Sequence, residues 1–204
     1  TIVATFVDDR PWLDVMYQAT RISLGLIPVL LVIHLLRRSG EGPRVIGFDL
    51  RDWRRDLWRG ALLAAGVGGV GLVFYLTAFQ LGMNVRIAAA DIQDSWWNLV
   101  LLLVSAAYNS VLEEVIVLGY FLHRARQIGW RPWQAIAGSA LMRGAYHLYQ
   151  GFGGFLGNLA MGALFGWLYL RWRRVMPFVV AHFLIDAVAF IGYDLLSGKV
   201  SWLP

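Results

Sequence analysis

The chain has 204 residues and a net charge of +5, with 58% hydrophobic and only 15% charged residues and a mean hydropathy of +0.57. Soluble domains run near half apolar and a quarter charged, so this composition excludes an ordinary water-soluble domain. Cysteine is absent, which excludes disulfides, cysteine-ligated zinc and thiol catalysis.

The apolar residues lie in six blocks, 17–36, 58–81, 97–122, 132–150, 152–170 and 175–196. Each is close to the ~20 residues that cross a bilayer as a helix. They predict an all-α, polytopic integral membrane bundle of about six transmembrane helices, a single membrane domain over 1–204. Short linkers argue against a second domain. Asp8, Asp9 and Asp14 precede the first block and no cleavage site follows it, so it reads as a span rather than a signal peptide.

The longest connection, RRSGEGPRVIGFDLRDWRRDLWRG, follows. Gly40, Gly42 and Pro43 mark a turn in it. Leu50, Trp53 and Leu57 recur at helical spacing among arginines, which fits either a short helix lying in the interface or the solvated start of span two. Span two carries Gly66, Gly68, Gly69 and Gly71, and span five carries Gly154, Asn158, Gly162 and Gly166 at steps of four. Small residues on one face let backbones approach in lipid, so both spans are expected to pack closely, with Asn158 bonding between helices. Pro132 and Pro177 suit the first turns of spans four and six. GFGGFLG (151–157) is not a phosphate loop: the spacing is not GxGxxG and no strand precedes it.

Charge gives the orientation. Of 18 Lys and Arg, seven fall between spans one and two, three between three and four, and three between five and six. All of these share one face, while Arg10, Arg86 and Lys199 lie on the other. Basic residues collect on the cytoplasmic side, which places both termini outward. Trp53, Trp58, Trp96, Trp97, Trp130, Trp133 and Trp172 lie near span ends, where indole rings meet headgroups. The positive balance therefore reads as topology and contact with the lipid bilayer, not as nucleic-acid binding.

Ionisable groups at membrane depth are rare and mark cavities or functional sites. Here they are Glu113 and Glu114 in span three, Arg143 and His147 in span four, and His182 and Asp186 in span six. Ser105, Asn109 and Glu113 form a stripe at steps of four, Ser110 and Glu114 a second one beside it. Arg143 with His147, and His182 with Asp186, each share a helical face. A carboxylate and a neutral histidine can activate water, and a second histidine can hydrogen-bond an oxyanion. The same set could ligate zinc, through Glu113, His147 and His182. Counted from the expected cytoplasmic span ends, Glu113 is ~13 Å deep and His182 ~10 Å, whereas His147 is ~22 Å deep. Helix tilt or a later start of span four is needed to bring the three level.

EEVIVLG (113–119), RGAYH (143–147) and AHFLID (181–186) together resemble the CPBP family of intramembrane proteases. That family includes type II CAAX prenyl endopeptidases, bacteriocin-processing enzymes and Abi proteins; its pattern is EExxxR, FxxxH and HxxxN on successive core helices. The resemblance covers roughly 96–190. It implies an endopeptidase in which Glu113 activates water with His147 as partner, Glu114 is the second acid, and His182 stabilises the oxyanion. It also implies a metal-free mechanism, a peptide or membrane-protein substrate, and a bacterial cell membrane as location. Three positions depart from the pattern. Leu118 replaces the motif's Arg, Arg143 replaces its Phe, and Asp186 stands where Asn is usual. Arg143 is expected to supply from span four the charge absent at 118. Asp186 as an ionised group only accepts hydrogen bonds, so it is expected to orient His182. Two other readings remain: a non-catalytic immunity or scaffold protein of the same fold, and a proton-coupled transporter.

Overall fold

The computed structural model describes residues 11–84 and 96–196. Arg10, Arg86 and Lys199, and the side chains of Asp14, Trp96 and Trp97, lie outside the described part. Every regular element among the described residues is helical. Helix α1 is Pro11–Arg38 and α2 is Trp53–Gln80; α3, Trp96–Glu113, runs through a π-helical segment, Glu114–Tyr120, into α4, Phe121–Gln127. Helices α5 (Pro132–Tyr146), α6 (Phe152–Trp172) and α7 (Met176–Leu196) complete six rods. Among the described residues four stretches are long and apolar enough to cross a membrane: Val15–Arg38, Trp53–Gln80, Leu99–Gln127 and Phe152–Trp172. Met176–Gly192 is apolar but shorter.

The surface is inverted relative to a soluble protein. Leu30, Val70, Val73 and Val188 are all more than 60% exposed, while Glu114 and Arg143 are fully buried. Apolar side chains outside and ionisable ones inside are what a bilayer selects, because lipid solvates the former and cannot solvate the latter. This is a helical integral membrane protein.

Helix α6 packs along α5, and α7 along α2 and α3. At Gly162 an added Cβ would lie 2.9 Å from the Ala140 Cα, so α5 and α6 touch backbone to backbone as the glycine spacing of span five predicts. Span two differs from expectation. Gly66, Gly69 and Gly71 face open space, and the close approach of α2 is at Gly60 instead, where a Cβ would meet the Pro177 carbonyl of α7 at 2.8 Å. Asn158 does not bond between helices; its amide donates to the Gly154 carbonyl one turn back in the same helix.

The first connection holds a short 3₁₀ turn, Pro43–Ile46, and no separate interfacial helix. Trp53 and Leu57 belong to the first turns of α2, and Leu50 is 72% exposed. The connection is clamped to the bundle by two clusters. Arg174, in the α6–α7 turn, donates to Asp56 (2.6 Å to Oδ2) and to Asp49 (3.3 Å), and Val175 N donates to Ile46 O. Gly47, at φ 67°, lies flat against the Arg174 backbone, where a Cβ would collide. On the other side Glu41 accepts from His123 (2.9 Å), Arg124 (2.9 Å) and Gln127 (2.7 Å) of α4. Burial disfavours the charged forms of Asp49 and Glu41. The donors around each outweigh it and hold both carboxyls below their ordinary values.

The second clamp bears on the depth of Glu113 relative to His147. The third rod does not end at 122 but continues to Gln127, because the side chains of His123 and Arg124 are satisfied by Glu41. From Gln127 back to Glu113 is ~21 Å, level with His147 at ~22 Å from Pro132. His182 is only ~9 Å from the start of α7. The α6–α7 turn before it has Val175 fully buried, its N–H donating to Ile46 O.

Candidate functional site

The site forms where the π-helical segment, the last turn of α5 and the second turn of α7 meet. A π turn widens the helix and leaves carbonyls poorly matched to the ladder. Two side chains attend to them here: Ser139 Oγ donates to Val117 O at 2.9 Å, and Tyr169 OH to Gly119 O at 3.3 Å. Nothing in EVIVLGY apart from Gly119 marks this turn in advance.

Glu114 is the buried anchor. Its Oε1 accepts from Arg143 Nη2 at 2.6 Å and from His182 Nδ1 at 2.7 Å. Arg143 thus supplies a positive charge to the acids of the third rod from α5, while Leu118 is packed in the apolar core at 0% exposure. The guanidinium also lies over the Phe165 ring, 5.6 Å from its centroid, a favourable contact for a cation out of water. Among the described residues Oε2 of Glu114 and Nε and Nη1 of Arg143 have no hydrogen-bond partner.

Glu113 is held differently. Asn109 Nδ2 donates to its Oε1 at 3.1 Å and Tyr146 OH to its Oε2 at 2.7 Å. Arg143 Nη1 stops 3.8 Å from Oε2. The side chain keeps 12% of its surface exposed, against none for Glu114. Of the two neighbouring acids, one is a sealed counter-ion and the other a reachable carboxylate bound by neutral donors.

His147 caps α5. Its Nδ1 lies 3.0 Å from the Arg143 carbonyl; a carbonyl only accepts, so Nδ1 carries the proton, and the neutral ring keeps Nε2 as an acceptor. The ring sits between Tyr146 and Tyr149, at centroid distances of 4.6 and 6.2 Å. No hydrogen bond joins His147 to Glu113; the residue at this helix end that reaches Glu113 is Tyr146, which the polar pattern of the sequence had not singled out. His182 Nε2 lies 3.5 Å from Asp186 Oδ2, so its two nitrogens face two carboxylates. Among the described residues no three His, Asp or Glu are grouped to hold a metal ion, the set Glu113, His147 and His182 included.

The site is thus a pair of adjacent acids on one rod of a helical membrane bundle, with histidines from two other helices beside it. Residues 95–188 match the Rce1-like family, described as type II CAAX prenyl endopeptidase Rce1-like. The match spans just under half of the chain and contains every residue of the site. No curated protein matches, and no solved structure does.

Proposed function

We propose that the protein is an intramembrane endopeptidase that hydrolyses a peptide bond in a peptide or membrane-protein substrate, with Glu113 as general base. The observation that carries this is the division of labour between the paired acids. Glu114 is neutralised by close bonds to Arg143 and His182, whereas Glu113 is reachable, hydrogen-bonded only by neutral donors, and 3.8 Å from the Arg143 guanidinium. Water held between Glu113 and Nε2 of His147 loses its proton to Glu113 as its oxygen bonds the carbonyl carbon. His182 donates to Glu114 through Nδ1, so only its Nε2–H, next to Asp186, is left to hydrogen-bond the oxyanion. Donation from both nitrogens makes it an imidazolium. On collapse the proton passes from Glu113 to the departing amine. No metal takes part in this scheme, and activity that survives strong chelators supports it. The basic face is cytoplasmic, both termini face outward, and the membrane is that of a bacterial cell.

Purified protein in liposomes, offered a peptide library, tests the reading beside Glu113→Gln. Cleavage lost in the variant supports it, and cleavage unchanged removes Glu113 from the chemistry. A second reading, proton-coupled transport, draws on the chain Glu114–His182–Asp186, an acid–imidazole–acid series inside the bundle. Proton-gradient-dependent uptake in the same liposomes would favour it.

A further inference from the structure

Tyr146 is the one residue of the site whose ring reaches the outside of the bundle while its polar atom reaches the centre. The residue is 36% exposed, and the hydroxyl donates to Glu113 Oε2 at 2.7 Å. Two competing donors approach that oxygen. Arg143 Nη1 is buried, has no hydrogen-bond partner and lies 3.8 Å from it, about 1 Å beyond a close ion pair. A guanidinium with a free donor next to a carboxylate closes on it unless something holds the carboxylate away. Asn109 grips only the other oxygen. The hydroxyl of Tyr146 is therefore what stands between Glu113 and a close, hydrogen-bonded pair with Arg143.

We infer that Tyr146 is a positioning residue for Glu113: its hydroxyl fixes the carboxylate plane and keeps the 3.8 Å ion pair with Arg143 from closing into a hydrogen-bonded one. This inference rests on the reading of Glu113 as the base. A carboxylate has about four lone-pair sites on two oxygens. Asn109 and Tyr146 take one on each, and one on each is left for water. With the hydroxyl gone, Glu113 turns to Arg143 and its remaining lone pairs face a fixed cation, where it is a poor acceptor for the proton of water.

The test is Tyr146→Phe, which keeps the ring over His147 and removes one atom. The expected result is a kcat lower by about 10-fold or more, a substantial part of what a positioned base contributes, with KM within twofold and the melting temperature unchanged. Tyr146→Leu should lose no more than Tyr146→Phe, since the hydroxyl is the working group. Infrared spectroscopy reads the same contact without turnover. The carboxylate stretch that disappears in Glu113→Gln should shift in Tyr146→Phe. A kcat within twofold of wild type, or an unmoved band, overturns the inference. So does a parallel loss of stability and of KM, or a far larger loss in Tyr146→Leu, which would make ring packing the cause. Full activity in Glu113→Gln instead overturns the reading of Glu113 as base, and the infrared band still decides whether the hydroxyl holds that carboxylate.

Discussion

Two arginine–carboxylate clusters sit at opposite levels of this bundle, and they are built to opposite standards. At the arginine-rich end Arg174 spends its guanidinium on Asp49 and Asp56, including the Asp49 backbone carbonyl at 3.1 Å. None of its nitrogens is left buried without a partner. In the bundle centre Arg143 makes one short bond to Glu114, and its Nε and Nη1 make none. Glu114 Oε2 and Asp186 Oδ2 are likewise without hydrogen bonds. A saturated cluster has nothing left to offer and works as a clamp. An unsaturated one in a dry interior is costly to maintain, and such cost is tolerated where the spare donors and acceptors have a task. The contrast separates the structural ion network from the candidate chemical one without appeal to any single distance.

The largest effect expected on stability is at the centre. Arg143→Leu leaves Glu114 as a buried carboxylate facing only His182, and breaking a buried pair in this way costs about 3–5 kcal/mol. Thermal unfolding in detergent should show a large fall in melting temperature; a variant as stable as wild type would mean that Arg143 is not what holds Glu114.

The clamp should give less. Arg174 keeps 11% of its side chain exposed, while Asp56 keeps 2%. Arg174→Ala should therefore cost about 2 kcal/mol, between the values for exposed and fully buried pairs. It should also raise proteolytic susceptibility in 43–52 before the helices melt. Protection of that loop equal to wild type would count against the clamp.

Acid provides a milder probe of the same region. Asp49 and Glu41 have lowered pKa values in the fold. Their contribution to stability is complete above the unfolded carboxylate value near ~4 and is lost as pH falls through the lower folded values. Loop protection should therefore fall below pH ~4, and a loop that is as protected there as at neutral pH would contradict the assignment. Smallest of all is Asn158→Ala. Its bond runs back to Gly154 in the same helix, a contact that stabilises little, so the change should be under ~0.5 kcal/mol. A loss of several kcal/mol would mean that Asn158 bridges helices after all.

How much of this was legible in the sequence differs between the same two regions. Block lengths and the set of membrane-depth ionisable residues are properties of composition along the chain, and they give the six rods and Glu113, Glu114, Arg143, His147, His182 and Asp186. The end of the third rod was not legible. His123 and Arg124 look like a membrane boundary until Glu41, far away in sequence, is seen to neutralise them. Nor were the faces of α2, because a glycine at 66 or 69 reads the same whether it meets a helix or open space. The π turn carries no periodicity of its own. Tyr146 does not stand out in the pattern of charge, because a phenol carries none. Its signal was nonetheless present: a tyrosine at membrane depth, next to a histidine, needs a partner for its hydroxyl.

The central claim is that Glu113, not Glu114, removes the proton from water. Turnover of one cleaved peptide by Glu113→Gln, beside wild type and with melting temperatures matched, measures it directly. Loss of the roughly 10²–10⁴-fold that a general base supplies, in a variant that still folds, is the predicted result. A folded Glu113→Gln that cleaves at the wild-type rate contradicts it.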